Sequence, residues 1–297
     1  MVRKTVKIDG KHWGGRRSLK GPFEINANQF LDQASANLGV DGIVCVPNAR
    51  GREHPLGPEY RYEELIERLE GNIWVVGEER DKRAVYDPAR KIYLVKAQEV
   101  NTQLHGQKVV LLAYNLPFGK NLSEPKDVST ESCLEEAAAM GCIIGLNIPS
   151  GWVGASSLMD NKQVLNALDF VVEYQGTSSK GVNDGAYEIA NRGTYEVYFN
   201  GAPKDMKTHK IGRLAVSGGH RTPTTSFGKL FSGVTVGKCY SRLDSEIEPD
   251  EDFFGNLREG IRSCPVEPGT NERKRIIAET FLRHAPKRAL DKTLGYG

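Results

Sequence analysis

The stretch "KIDGKHWGGRRS", residues 7–18, decides how the chain is read. A strand-like start passes directly into a basic, glycine-rich loop. A dinucleotide fold would show G-x-G-x-x-G behind its first strand, and a P-loop would set a lysine after its run of glycines. "WGGRRSLKG" (13–21) is neither. A nucleotide-binding open sheet is therefore disfavoured, and an α/β barrel is the better reading.

Outward from this loop, strands and helices alternate. "KTVKI" (4–8) reads as a strand, and "NANQFLDQASANLG" (26–39) as a helix that Asn26 or Asn28 can cap and Gly39 can end. "GIVCVP" (42–47) reads as a buried strand stopped by Pro47, and "PEYRYEELIERLEG" (58–71) as a helix between Pro58 and Gly71. Residues 72–114 carry "NIWVV", "KIYLVKAQEV" and "KVVLLAY". The turn "HGQ" (105–107) predicts a hairpin between the last two. "STESCLEEAAAMG" (129–141) is a helix with Ser132 and Glu135 fitting a capping box, followed by the strand "CIIGLNIP" (142–149).

A helix near 160–168, the strand "FVVEYQ" (170–175), the helix "DGAYEIANRG" (184–193) and the strands "YEVYF" (195–199) and "RLAVSGG" (213–219) continue the rhythm. Helices around 250–262 and 271–285 close it. Six or seven strands alternating with helices imply a mainly parallel sheet covered by helices. No linker, charge block or short repeat divides the chain. One barrel domain over 1–297 is expected, with the C-terminal helices (about 245–290) packed on it.

Composition narrows the class. The chain is 39% hydrophobic and 26% charged with a formal charge of +2, unlike a protein whose main task is coating nucleic acid. Five cysteines, an odd number without a CxxC pair, read as buried small hydrophobes in a reducing compartment. "MVRKTVKI" lacks the apolar region of a signal peptide, and "VVLLAY" is too short to span a bilayer. A cytoplasmic protein with no membrane partner is expected.

In a barrel, functional residues gather at the C-terminal ends of the strands. Here those ends are "DGKHWGGRR", "VPNARGRE", "AQEVNT", "LNIPSGW", "VEYQGTS" and "SGGHRTP". In order and context they resemble the PHP (polymerase and histidinol phosphatase) superfamily over most of the chain. "IDGKHW" stands at the place of the family's His-x-His, "LGVDGIVCVPNAR" at its Asp-His turn, and "KAQEVNT" at its glutamate strand. "EEAAAMGCIIGLNIPSG" matches the helix and strand that end in His-Pro, "LDFVVEYQ" the next strand, and "LAVSGGHRTPTTSFGKLFSG" the late Ser-Asp-x-His segment. The resemblance implies a distorted seven-stranded (β/α)7 TIM-type barrel of mainly parallel strands, holding up to three metal ions.

Carried over by position, most of the metal set is missing. The first two histidines fall on Lys11 and Trp13, the Asp-His turn on Asn48 and Ala49, the His-Pro on Asn147 or Ile148, and the late aspartate on Gly218. Glu99 and His220 alone match metal ligands of the family, and they are the candidate catalytic pair if the chain is an enzyme. A cluster that hydrolyses phosphoesters needs several carboxylates and imidazoles. One Glu and one His do not supply them, and a protonated Lys11 repels a cation. The resemblance therefore implies a degenerate member with no cofactor, or at most one weakly held zinc, manganese or iron ion on Glu99 and His220.

Lys11, Arg16, Arg17, Arg50, Arg52 and Arg221 lie at or just beyond strand ends that face one mouth. Fixed basic side chains in place of cations would keep the mouth electropositive and suited to a phosphate or carboxylate. Lys11, Trp13, Arg16, Arg17, Asn48, Arg50, Asn147 and Arg221 are the candidate ligand-binding residues, and a phosphorylated or otherwise anionic small molecule is the expected partner. Separate solvated loops that share nothing are an equally open reading of the same residues.

Two rival functions stand beside it. One is a metal-dependent phosphoesterase with a reduced site around Glu99 and His220. The other is an RNA-associated protein, similar to the metal-free PHP-like subunit of RNase P, which the modest net charge speaks against. Trp13 and Trp152 read as plugs of the mouth before stacking platforms. His12 and His220 read as separate before they read as an acid–base pair. "NERKRIIAETFLRHAPKRALDK" reads as an amphipathic helix docked on the barrel before it reads as a nucleic-acid patch.

Overall fold

The computed structural model describes residues 5–11, 27–48, 61–77, 80–123, 128–147, 161–175, 194–195, 209–217, 236–237, 239–245, 247–250 and 252–264, with the backbone alone at 48, 162, 173–175, 194–195 and 209–210. Its strands are β1 (Val6–Asp9), β2 (Gly42–Asn48), β3 (Trp74–Val76), β4 (Ala84–Asp87), β5 (Ile92–Leu104), β6 (Gln107–Tyr114), β7 (Ile143–Leu146), β8 (Phe170–Gln175), β9 (Thr194–Tyr195), β10 (His209–Lys210), β11 (Gly212–Val216) and β12 (Ser241–Leu243). The helices are α1 (Ala27–Leu38), α2 (Tyr62–Glu67), α3 (Thr130–Ala139), α4 (Lys162–Ala167) and α5 (Phe253–Ser263).

Ten strands form one sheet. Its main path runs β11-β8-β7-β6-β5-β2-β1-β12, with β3 and β4 added alongside β5, while β9 and β10 pair apart. The two ends of the path meet, since Ala215 N of β11 donates to Ser241 Oγ of β12 (2.7 Å). The result is a nearly closed barrel.

The pairing is mixed, which corrects the expectation of a mainly parallel sheet. β1–β2, β2–β5, β7–β8 and β8–β11 are parallel, whereas β1–β12, β3–β4, β4–β5, β5–β6 and β6–β7 are antiparallel. The reason is local. Parallel neighbours need a long crossover, usually a helix, and from Ala84 to Tyr114 the connections are turns of four and two residues that reverse the chain, while β6 and β7 are antiparallel with α3 between them. The β5–β6 turn is the predicted one. His105 (φ 49°) and Gly106 (φ 75°) are its two residues, both left-handed as a type I′ hairpin requires.

At thirteen residues, β5 serves three neighbours. β2 lines one of its edges from Ile92 to Gln98. On the other edge β4 pairs with Ile92–Val95 and β6 takes over from Ala97 to Leu104. Alternation then divides its side chains between the barrel interior and the helices outside it, in three apolar clusters. Tyr93, Val95 and Ala97 point into the barrel with Ile8, Cys45, Leu112, Phe170 and Leu214. Ile92 and Leu94 face α1 and α2 together with Phe30, Leu31 and Leu65, and Val100 and Leu104 face α3 and α4 together with Leu134 and Leu165.

Several local expectations shift. β2 continues through Pro47 to Asn48. Among the described residues β1 accompanies β2 only to Val44, and a proline's missing N–H is tolerated on a strand with an open edge. Helix α3 is capped by Ser129, whose side chain accepts from Ser132 N (3.1 Å), so Ser132 lies inside the first turn. Asn28 also lies inside α1, its Oδ1 accepting from Glu70 N (3.3 Å), while Asn26 falls outside the described residues. Gly39 (φ 78°) and Gly141 (φ 71°) end α1 and α3 as their positions predicted. The helices predicted at 184–193 and 271–285 lie outside the described residues.

β5 and β7 run the same way, because both are antiparallel to β6, so β1, β2, β5, β7, β8 and β11 all point towards one end of the barrel. The opposite end carries α5. Arg262 donates to Asp169 Oδ1 through Nε (2.8 Å) and Nη2 (2.6 Å), and Asp169 Oδ2 accepts from Ile144 N (2.9 Å). Gly212 lets α5 come close, since a side-chain carbon there would run into the Ile261 carbonyl. All five cysteines are buried, with no disulfide among them. No helix among the described residues is long and apolar enough to cross a membrane.

Candidate functional site

The mouth of the barrel is built where β1 ends. Asp9 is fully buried and its carboxylate ties three segments together. Oδ1 accepts from Ser217 N (3.0 Å) and Lys11 N (3.4 Å), and Oδ2 from Ser217 Oγ (2.6 Å) and Gly237 N (2.8 Å). The end of β1 is thereby fixed to the residue that follows β11. From within the barrel Tyr114 donates its hydroxyl to Gly10 O (2.6 Å), an approach that only glycine allows, because a Cβ there would stand 2.8 Å from that oxygen. Burial pushes the Tyr114 phenol far above its usual range, so it serves as a neutral donor. Burial, and then the Asp9 carboxylate, likewise raise the Cys45 thiol. That thiol is packing, not a nucleophile.

Pinned in this way, Lys11 turns inward. Its ammonium pairs with Glu99 Oε2, the side chains being 5% and 16% exposed. Glu99 continues the inward row of Tyr93, Val95 and Ala97 beyond the apolar filling. Asn147 stands one alternation beyond Gly145 on β7 and donates through Nδ2 to the same Oε2 (2.9 Å). Its backbone N–H goes to Val110 O (2.8 Å), continuing the β6–β7 ladder past its last pair. Two of the residues singled out in the sequence, Lys11 and Asn147, therefore converge on one carboxylate oxygen of a third, Glu99. Of the two residues at the His-Pro position, Asn147 reaches this oxygen, and Ile148 lies outside the described residues.

Asn48 ends β2 opposite Gln98, and its backbone alone is described. Trp13, Arg16, Arg17, Arg50, His220 and Arg221, with His12, Arg52 and Trp152, lie outside the described residues. Their segments continue from the ends of β1, β2, β7 and β11. β1 and β2 are paired, and β1 and β11 are joined through Asp9 and Ser217.

Sequence reasoning gave no role to Asp9, Ser217 or Tyr114. A signal was present: an aspartate closing the apolar strand "VKID" just before a glycine must find donors if that end is buried.

Among the described residues no three His, Cys, Asp or Glu side chains are grouped to hold a metal ion. Glu99 is the candidate ligand they contain, and a cation on its Oε2 would have to displace the Lys11 ammonium. The described part of the mouth therefore does not fit a metal cluster. It can neutralise and hold one carboxylate, and it presents neutral polar groups around it.

No family model matches the chain, and no curated protein matches it. Among solved structures the chain is similar to the lesion-specific endonuclease PfuEndoQ from Pyrococcus furiosus, at 12% sequence identity and a TM-score of 0.46. The match covers 87% of this chain and 56% of that one, so this chain spans little more than half of the endonuclease's length. A likeness of this size carries neither fold nor activity to this chain.

Proposed function

We propose that the chain is a degenerate PHP-like barrel, descended from the sevenfold (β/α)7 form, whose mouth binds a phosphorylated or otherwise anionic small molecule and has lost the family's hydrolytic cluster. The observation that carries this reading is the Lys11–Glu99 pair. The one carboxylate that matches a metal ligand of the family is neutralised by a tethered ammonium, so the charge balance of the site needs no ion. Because the same pairing uses up the Lys11 charge, the excess positive charge that grips an anion falls to Arg16, Arg17, Arg50 and Arg221. In the sequence their segments follow β1, β2 and β11, whose ends point towards the same end of the barrel. Arginine suits this task, its planar fork matching phosphate oxygens in pairs.

Two measurements test the reading together. Elemental analysis of native protein after dialysis should find well under one equivalent of zinc, manganese or iron per chain. Inorganic phosphate should raise the melting temperature, by about 2.7 kcal/mol of added stability at a hundredfold excess over its dissociation constant. A stoichiometric metal that leaves with Glu99→Gln and with His220→Ala, together with phosphatase turnover, would establish the reduced-site phosphoesterase instead. Salt-dependent retention on RNA with no response to phosphate would favour the RNA-associated reading.

A further inference from the structure

Strand β3 has a partner on one side. β4 pairs with it along Trp74–Val76, and among the described residues no strand covers its other edge. The register fixes what that edge offers. Lys96 N donates to Arg83 O (2.9 Å), so the backbone of Arg83 and, two residues on, of Val85 faces β5. The backbone of Ala84 and Tyr86 then faces β3, where it meets Val76 and Trp74. By the same alternation the N–H and C=O of Val75 point outward. Shortness is the protection this edge has; it carries no proline, lysine or bulge.

Trp74 stands beside the open edge. It is 48% exposed and, with Val40, is one of two large apolar side chains left open to solvent among the described residues. Its ring leans on Tyr86, the centroids 5.9 Å apart, and the Tyr86 hydroxyl donates to Asp41 Oδ1 (3.0 Å), next to Val40. The surroundings are acidic. Burial and then the Asp41 hydrogen bond push the Tyr86 phenol up to about 12, and the charges of Asp41, Asp87 and Glu248 add to that. Asp87 is already paired with Arg90. Glu248 and Asp250 are exposed and join no ion pair among the described residues.

A second copy of the chain would bring the same carboxylates against these, and a nucleic acid would be repelled, whereas a cationic segment is attracted. We infer that β3 is the docking edge for an extended, lysine- or arginine-rich segment of another protein, which adds as a strand beside Val75 and lays a basic side chain on Trp74. The Val75 backbone supplies the register, and the indole face with the Glu248 and Asp250 carboxylates supplies the charge preference. β4 pairs with the start of β5, so this edge lies at the barrel end opposite the mouth and is independent of what the mouth binds.

The test follows two labelled peptides, acetyl-Lys-Val-Lys-Val-Lys-amide and its glutamate counterpart, binding to the full chain by fluorescence anisotropy. At low salt the lysine peptide should bind at least about tenfold more tightly, and added salt should erode that advantage. Trp74→Ala should weaken it about fivefold. Val75→Pro removes the outward N–H and no bond to β4, a change that an edge strand tolerates, and should also weaken it about fivefold. The charge preference is read on the wild type, so it decides the matter even if a variant does not fold. Equal binding of the two peptides, or binding of neither, would overturn the inference. Lysine-peptide binding that survives both substitutions unchanged would overturn it as well, by placing the site elsewhere. A dimer in sedimentation equilibrium that Val75→Pro dissolves would overturn the choice of partner and assign the edge to a second copy.

Discussion

Two lysine–glutamate pairs occupy opposite faces of strand β5, and they are built differently. On the outer face Lys96 is completely buried, and its ammonium reaches Glu63 Oε1 of α2 (2.5 Å), Pro117 O (2.8 Å) and Lys120 O (2.6 Å). Glu63 Oε1 accepts in addition from Gly119 N (3.2 Å). Two positions on, Gln98 pairs both ends of its amide with the Leu122 backbone, at 2.7 and 3.2 Å. This pair is a clip that takes the place of strand pairing for the loop after β6. On the inner face Glu99 meets Lys11 and Asn147, and the amide beside the pair keeps a buried oxygen without a donor. A polar cluster closed on all sides reads as structure, and one with an orphaned acceptor at a barrel mouth reads as a place for a ligand.

Three experiments press on this difference. Lys96→Met should have the largest effect, about 3–5 kcal/mol of stability lost in urea unfolding, because it strands two carbonyls that the fully buried ammonium serves, together with the partly exposed Glu63 carboxylate. Adding Glu63→Gln should return part of that loss. A loss below about 1 kcal/mol would show that the outer pair is no clip. Lys11→Met should cost less, about 1–3 kcal/mol, since Glu99 is as exposed as Glu63 and the extra loss at Lys96 comes from its two stranded carbonyls. If it costs as much as Lys96→Met, the inner pair is equally structural and the contrast fails.

The smallest effect is in pH. Burial lowers the Lys96 ammonium below its usual 10.5, while Glu63, through its hydrogen bond and then its charge, works the other way. Between the lowered value and 10.5 the unfolded chain holds a proton that the folded chain has released, so this group makes stability rise with pH. The wild-type advantage over Lys96→Met should therefore widen as pH climbs towards 10.5. Asp81, Lys82, Arg83 and Lys120 border the same loop, so the difference between the two proteins is the quantity to follow, not the wild-type curve alone. A narrowing difference would mean that the Glu63 charge outweighs burial.

Much of the fold could be read before the structure. The apolar run "GIVCVP" became β2, the turn "HGQ" became the β5–β6 hairpin, and Gly39 and Gly141 ended their helices. The strand directions were misjudged from Trp74 to Tyr114, where no helix separates the strands, and again at β6–β7, which are antiparallel although α3 lies between them. There alternation marks a strand but not which neighbour it will pair with, and β4 and β6 divide one edge of β5 between them. The triad of Lys11, Glu99 and Asn147 came from matching positions to a family pattern. The brace beneath it did not, because Asp9, Ser217 and Gly237 are 208 and 228 residues apart along the chain.

The sequence by itself determined the elements, since period, capping and turn chemistry act over a few residues. It also determined that one carboxylate, one lysine and one asparagine would end strands of the same barrel. Only the tertiary structure decided that they share a single oxygen, that Asp9 lashes β1 to β11, and that the lysine charge is spent internally. Those outcomes depend on which strand lies beside which, and that is settled by burying three apolar clusters at once, not by any segment alone.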